Sequence, residues 1–229
     1  MQKSENKDFR KYALDGLYRT GLKEAKHYIA KGLEDTDINN QIAAIEYLGL
    51  LEANEYAEKI AEKLTNAENS FLISTVIETL AIIGNDNTDK IIKEKLKNHF
   101  NPYLYLPYAR YIFKRENIYE CINFFKQSEK KELILKEFLE CLTRYIPNVR
   151  SQNKLKKEVV NILCGLMKKD ILNEYKYNIL IILNDLLDRE ISDILKENID
   201  YLNNEGLIAA IEIIKQKNLE SLKNEILKK

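Results

Sequence analysis

The chain has 229 residues, of which 45% are apolar and 31% charged, which allows a substantial core and excludes an intrinsically disordered protein. Its 36 Lys and Arg residues balance its 36 Asp and Glu residues, so the formal net charge is zero. This balance argues against a strongly basic nucleic-acid-binding protein. Seven glycines and three prolines are too few for the many tight turns of an all-β fold.

The beginning of the chain and the cysteines indicate the cellular compartment in which the protein is expected to reside. Residues 1–8 are polar and predict a flexible leader, followed by a single domain over residues 9–229. The leader lacks the apolar core of a secretory signal, and no 18-residue apolar run that would span a membrane occurs in the sequence. Cys121, Cys141 and Cys164 have no metal-site spacing, so we interpret them as reduced core residues. These features predict a cytoplasmic protein without a membrane partner.

A pair of apolar helix faces recurs at intervals of 31 and 32 residues in the first half of the chain. In three copies, 16 residues separate a leucine of the first helix from a leucine of the second: Leu17 and Leu33, Leu48 and Leu64, Leu80 and Leu96. This pattern is typical of two amphipathic helices joined by a short connection. Less regular first helices follow at residues 109–113, 138–142, 179–183 and 210–214. The sequence therefore predicts about seven helical hairpins.

Residues 42–49, Ile-Ala-Ala-Ile-Glu-Tyr-Leu-Gly, resemble the first-helix signature of the HEAT-like repeat family, particularly its short-repeat branch. The resemblance implies an all-α fold, a right-handed α-solenoid of about seven hairpins. Neighbouring hairpins would stack to bury faces that one hairpin cannot bury alone. A generic helical solenoid is the alternative. Tetratricopeptide and ankyrin repeats have a similar period, but their signature residues are absent from the sequence.

Polar residues mark the predicted connections between helices. The stretches 35–37 and 66–69 predict N-caps for the helices that follow them. Four residues stand where a positive φ angle is useful at a helix end, namely Gly21, Gly84, Asn117 and Asn218. Around residues 146–153 the fifth hairpin is eight residues longer than the others, which we interpret as a long loop. Such loops in repeat proteins often carry binding residues.

The fourth hairpin departs from the repeat, because Arg110 occupies a slot that is apolar in the other hairpins. Two interpretations are open, since a buried arginine without a partner is costly. Either the helix is rotated so that Leu106, Tyr111 or Ile112 fills the slot, or Arg110 lies on a groove wall and faces an acidic partner. Nine of the 21 aromatic residues fall within residues 100–125. Aromatic side chains are enriched at interfaces, but they also fill wide cores.

The zero net charge conceals an uneven distribution along the chain. Residues 101–170 carry 14 basic and 8 acidic residues, while residues 1–100 and 171–229 each have a net charge of −3. The basic segment includes both departures from the repeat, so it is the predicted partner-binding region, although a charge run can also be a solvated surface. The predicted contact residues are Tyr105, Tyr108, Arg110, Tyr111, Arg115, Arg144, Arg150, Lys154 and Lys157.

No motif in the sequence indicates catalysis. The two histidines are 72 residues apart, the glycines form no phosphate-binding loop, and no recognisable nucleophile motif occurs. We therefore expect no catalytic residues, no metal site and no cofactor. Two HEAT-like families have chemical roles, the alkylpurine DNA glycosylases and the phycobilin lyases. The absence of tryptophan and of net positive charge disfavours the first, and no residue specifically supports the second.

The predicted function is a non-catalytic protein-interaction scaffold of the adaptor, inhibitor or toxin-immunity type. Its basic, tyrosine-rich centre would bind an acidic patch on a partner protein, and charge complementarity would speed association. The alternative is a nucleic-acid-binding HEAT-like protein that uses the same centre for phosphate contacts and base stacking. A third hypothesis, a subunit of a larger assembly, leaves the oligomeric state open.

Overall fold

The computed structural model describes residues 4–99, 102–219 and 222. Within these residues the protein consists of thirteen α-helices and five short 310 segments, without a strand, so the all-α prediction is confirmed. The chain divides into two compact units, an N-terminal unit of residues 1–116 and a C-terminal unit of residues 117–229. The boundary falls between the two helices of the predicted fourth hairpin.

The N-terminal unit has two layers of helices. It contains α1 (Lys7–Arg19), α2 (Ala25–Ile29), α3 (Ile38–Leu50), α4 (Ala57–Glu62), α5 (Ser70–Ile83), α6 (Asp86–His99) and α7 (Tyr105–Arg115). Helix α3 packs between α1 and α5, and α5 packs between α3 and α7, so the first helices of successive hairpins stack. Helix α2 packs on α1 and α3, and α4 packs on α5 and α6. Because α1 begins at Lys7, the last two residues of the predicted leader belong to this helix.

The C-terminal unit repeats this arrangement. It contains α8 (Ile118–Gln127), α9 (Lys131–Arg150), α10 (Asn153–Met167), α11 (Lys176–Leu186), α12 (Ile191–Asn198) and α13 (Asn204–Lys217). Helix α11 packs between α9 and α13, α8 packs against α9, and α10 contacts α9, α11 and α12. As in the N-terminal unit, successive first helices lie side by side and the second helices cover one face.

Apolar positions of the sequence repeat form the cores of both units. Leu48, Leu64 and Leu80 in the N-terminal unit are at most 1% exposed, as are Phe138 and Leu183 in the C-terminal unit. Burying a side chain of this size favours folding by about 1.5–3 kcal/mol. The periodic apolar positions therefore supply much of the driving force that holds adjacent helices together.

Two of the predicted N-caps are present. The Asp37 carboxylate caps α3 by accepting the backbone N–H groups of Asn39 and Asn40 at 3.0 and 3.3 Å. The Asn69 side-chain oxygen caps α5 by accepting the N–H of Leu72 at 3.0 Å. These bonds satisfy N–H groups that have no partner inside the helix, which fixes where both first helices begin.

The predicted positive-φ positions are half correct. Gly21 and Asn218 have φ angles of 64° and 54°. Asn117 instead has a φ of −70° and is the N-cap of α8, where its side chain accepts first-turn N–H groups. Gly84 has a φ of −67°, and a Cβ atom there would lie 2.4 Å from the carbonyl oxygen of Leu80. Close backbone approach, not backbone conformation, therefore requires glycine at position 84.

The loop predicted at residues 146–153 is wrong. Helix α9 continues through Pro147 to Arg150, and only residues 151–152 separate it from α10. Proline removes one helical hydrogen bond, but Val149 is 1% exposed and anchors the last turn of α9 to the core. The added residues thus lengthen α9 to 20 residues, or about 30 Å.

A buried ion pair joins α1 to the segment that precedes α3. Arg10 donates from Nε and Nη2 to the two carboxylate oxygens of Asp35 at 2.8 and 2.9 Å, and both residues are less than a tenth exposed. The hydrogen bond from Arg10 holds the pKa of the Asp35 carboxyl below its ordinary value. Ionised Asp35 therefore stabilises the folded N-terminal unit.

We expect this pair to make the stability of the N-terminal unit depend on pH in acid. A depressed folded-state pKa means that the contribution is fully present above the unfolded pKa of about 3.9 and is lost as the pH falls through the folded pKa. Asp35→Asn should lower the stability at neutral pH and flatten its decline below about pH 4. Urea unfolding followed by circular dichroism measures both effects. Glu68→Gln, at an exposed position, is the control, and an unchanged pH profile in Asp35→Asn would contradict the expectation.

Candidate functional site

The predicted contact residues lie in two sets, one in each unit. The α7 set consists of Tyr105, Tyr108, Arg110, Tyr111 and Arg115. The α9–α10 set consists of Arg144 and Arg150 on α9 and of Lys154 and Lys157 on α10.

Arg110 is not buried in the apolar slot of the fourth repeat. Its Nη1 atom donates to Oε1 of Glu78 on α5 at 2.7 Å, and both side chains are about two-fifths exposed, at 42% and 40%. Tyr111 is fully buried and fills the slot instead. Burial of Tyr111 in place of Arg110 agrees with the interpretation of a rotated helix, since Tyr111 has the larger apolar surface to bury. That Arg110 faces an acidic partner stays a prediction.

Tyr111 belongs to the core of the N-terminal unit. Its ring stacks on Tyr108, with centroids 6.1 Å apart. Burial raises the pKa of Tyr111, and the nearby Asp89 carboxylate raises it further. Its hydroxyl nevertheless makes no well-formed hydrogen bond to any residue that the structure describes. A fully buried side chain cannot contact a partner, so Tyr111 leaves the predicted contact set.

Arg115 is also a structural residue. Its Nε and Nη2 atoms donate to the two oxygens of Asp89 on α6 at 3.1 and 2.9 Å, in a bidentate pair that joins α6 and α7. The side chain of Arg115 is 21% exposed. Tyr105, Tyr108 and Arg110 are partly exposed as well, so Tyr111 is the one fully buried member of the α7 set. Their role in binding stays a prediction.

The aromatic residues of the basic segment divide between core and surface. Phe113 and Phe125 are buried, whereas Tyr103 is 83% exposed and Tyr119 is 51% exposed. Phe100 lies outside the described residues. The aromatic composition of this segment therefore reflects core packing as well as exposed surface.

The α9–α10 set lies in the most one-sided charge run of the C-terminal unit. Residues 141–157 contain five basic residues and no acidic residue. Arg144, Arg150, Lys154 and Lys157 are all exposed. The Arg144 guanidinium lies 5.8 Å from the ring centroid of Tyr145, within cation–π range. Lys154 and Lys157 are three residues apart on α10, and neither forms an ion pair with a residue that the structure describes.

Two acidic side chains from the connection after α11 border this run. Arg150 Nη2 donates to Oδ1 of Asp188 at 2.6 Å, and Lys156 Nζ lies 3.4 Å from Oε2 of Glu190. Asp188 and Glu190 are 75% and 66% exposed, so both pairs are accessible to water. We define the cationic surface as Arg144, Arg150, Lys154, Lys156 and Lys157. Lys156 was not among the predicted contact residues, and its neighbour Glu190 is 34 residues away in sequence.

The cationic surface lies at an unfavourable place for helix stability. Helix α10 has three lysines among its first five residues and no acidic residue in its first turn. Its N-cap residue, Gln152, makes no side-chain capping bond. Because the N-terminus of a helix carries partial positive charge, these lysines oppose the helix dipole. The first turn of α10 is therefore less stable than one with acidic residues and a side-chain cap.

Metal sites and membrane-spanning helices are absent from the described residues. No group of three or more His, Cys, Asp or Glu side chains there is placed to hold a metal ion. No helix in that part of the chain has both the length and the apolar character needed to cross a bilayer. Cys121, Cys141 and Cys164 are in no disulfide, and the first two are buried. A comparison of the sequence with models of protein families gives no match, and a comparison with curated proteins also gives none.

Proposed function

We propose that this protein is a non-catalytic interaction module of HEAT-like helical hairpins, and that its cationic surface binds an acidic patch on a partner protein. The observation that carries the proposal is the run of five basic residues without an acidic one, three of them opposing the dipole of α10. The predicted right-handed solenoid of seven hairpins is part of the same proposal. It is supported by the stacking of successive first helices within each unit.

Binding would proceed by exchange of ion-pair partners. Lys154 and Lys157 offer charges that the described residues leave unpaired, and carboxylates of a partner would approach these first. The pair between Arg150 and Asp188 is exposed, so water screens it and its loss costs little. Arg150 would therefore turn from Asp188 to a partner carboxylate at small cost. Occlusion of the bound patch would give the adaptor, inhibitor or immunity role that the sequence predicts.

The acidic border favours a protein partner over a nucleic acid. Asp188 and Glu190 lie beside Arg150 and Lys156, so a phosphate backbone would meet two carboxylates as it approached the lysines. Nucleic-acid binding depends on many phosphate contacts that act together, and neighbouring carboxylates weaken each of them. A protein surface avoids this repulsion if it places basic groups opposite Asp188 and Glu190 and acidic groups opposite the lysines.

Charge reversal on the cationic surface is expected to weaken partner binding by about 30-fold, if each of three exposed pairs contributes about 0.7 kcal/mol. The variant carries Arg144→Glu, Lys154→Glu and Lys157→Glu. The natural partner would be captured on immobilised wild-type protein from a lysate of the source organism, and its affinity for each variant measured by calorimetry. Lys23→Glu, Lys90→Glu and Lys215→Glu change the net charge equally at other exposed positions and form the matched control.

Two results would count against the proposal. One is equal affinity of the partner for the reversed variant and the control. The other is capture that disappears when the lysate is treated with nuclease, together with salt-dependent binding of a 20-nucleotide single strand or duplex. The second result would establish the nucleic-acid alternative, because its binding responds to phosphate and not to protein carboxylates.

A further inference from the structure

A groove of about 430 Å³ lies between α9 and α11 in the C-terminal unit. Its floor is apolar and consists of Leu139, Ile181 and Ile182. Leu139 and Ile182 are buried, while Ile181 is half-exposed and accessible from the groove. The volume falls within the range of ligand sites, and an apolar floor with a polar rim is the usual character of such sites.

The rim of the groove is acidic. Glu140 on α9 and Glu174, just before α11, line it directly, and Lys136 is the one basic residue among its described lining side chains. One further carboxylate adjoins the rim, because Glu212 accepts a hydrogen bond from Tyr177. These three glutamates and Lys136 carry a net charge of −2, while the adjacent Lys176 is buried and its ammonium donates to the carbonyl oxygen of Tyr201.

Two tyrosines stand at the rim among these carboxylates. Tyr177 donates its hydroxyl proton to Oε2 of Glu212 at 3.1 Å, which fixes the ring at the edge of the groove and raises the pKa of Tyr177. Tyr175 is half-buried, and burial together with the charges of Glu174 and Glu137 raises its pKa. A carboxylate therefore lies close to each tyrosine, and aromatic rings are surfaces that bind cations.

We propose that this groove binds a peptide segment in which an arginine is flanked by aliphatic residues. The guanidinium would pair with Glu140 and Glu174, and the aliphatic side chains would lie on Leu139, Ile181 and Ile182. Arginine fits better than lysine, because its planar group pairs with carboxylates bidentately and stacks on aromatic rings. The complementarity is of charge and of apolar surface together, so a segment with only one of these properties would bind weakly.

This site shares no residue with the proposed partner-binding surface, although Glu140 and Arg144 are one turn apart on α9. The cationic surface attracts acidic groups, whereas the groove attracts a cation on an apolar segment. The two use different residues of α9, with Leu139 and Glu140 in the groove and Arg144 and Arg150 on the cationic surface. The C-terminal unit would thus recognise two chemically opposite segments.

The test uses the full chain and the labelled peptide Gly-Ser-Gly-Leu-Arg-Leu-Gly-Ser-Gly with blocked ends. Its affinity and its contacts with Ile181 are measured by NMR titration. Replacing arginine by citrulline keeps the shape and removes the charge, and this should weaken binding about tenfold. Glu140→Gln with Glu174→Gln should weaken binding of the arginine peptide by a similar factor. The matched control, Glu129→Gln with Glu205→Gln, removes two exposed carboxylates of the same unit and should leave the affinity unchanged.

Equal binding of the arginine and citrulline peptides would overturn the proposal, as would equal affinity in the two double variants. Because glutamine at these surface positions keeps the helices intact, a loss of binding cannot be ascribed to unfolding once the circular dichroism spectra agree. The variant with Arg144, Lys154 and Lys157 reversed should still bind the arginine peptide. If this variant binds the arginine peptide but not the protein partner, the cationic surface has lost its function while the groove has kept its own.

Discussion

Replacing Phe138 with alanine is expected to destabilise the C-terminal unit by about 3–5 kcal/mol. Phe138 is fully buried on α9, and its ring stacks on Phe125 of α8 with centroids 3.8 Å apart and planes within 5°. Truncation removes both the buried area and the stacking, and the two helices cannot close the cavity without moving their backbones. Loss on this scale is a large part of the stability of an ordinary domain.

Hydrogen exchange with mass spectrometry measures this effect in each unit separately. In Phe138→Ala, amides of α8 and α9 should lose protection, whereas amides of α3 and α5 should keep it, because helices in repeat proteins depend mainly on their neighbours. Phe71→Ala makes the same substitution at a side chain that is 79% exposed, and it should change little. Protection lost equally from both units would show that they unfold as one.

Two substitutions at Tyr111 should have opposite outcomes. Tyr111→Ala is expected to lower the free energy of unfolding by about 3–5 kcal/mol, because it leaves a cavity in the core where the Tyr111 ring is buried. Tyr111→Phe should be neutral or stabilise by up to about 1 kcal/mol, since it keeps the ring and removes a buried hydroxyl without a well-formed hydrogen bond. Chemical denaturation of both variants measures these changes.

The same pair tests the structural role assigned to Tyr111. Partner binding by Tyr111→Phe should equal that of the wild type, because the hydroxyl does not reach the surface. A loss of partner binding in Tyr111→Phe at unchanged stability would restore Tyr111 to the contact set. Tyr105→Phe, at a half-exposed position of the same helix, is the comparison.

The fold class followed from periodicity, because apolar residues at helical spacing must be buried by a neighbouring helix. Leu48, Leu64 and Leu80 illustrate this, because their equal spacing predicts that they are core residues, and all three are buried. Residues 146–153 were assigned wrongly because Pro147 and the added length are typical of a loop. Residues 146–150 are helical with Val149 buried, and local sequence does not reveal such a tertiary contact.

Of the candidate site, only the positive charge could be predicted from the sequence. The count of basic residues located the cationic surface, but it could not separate exposed Lys154 from Arg115, which Asp89 holds in a bidentate pair. Asp89 precedes Arg115 by 26 residues, and such distant pairings depend on how the helices stack. The acidic groove could not be predicted for the same reason, because Glu140 and Glu174 line one groove only when α11 packs on α9.

The three cysteines, none of them in a disulfide, determine where oxidants can attack thiols in this protein. All three belong to the C-terminal unit, and the N-terminal unit contains none. Cys121 and Cys141 are at most 1% exposed, so an oxidant reaches their sulfur atoms only when α8 and α9 separate. Oxidative damage to thiols is therefore confined to one half of this molecule, and at these two residues local opening sets its rate.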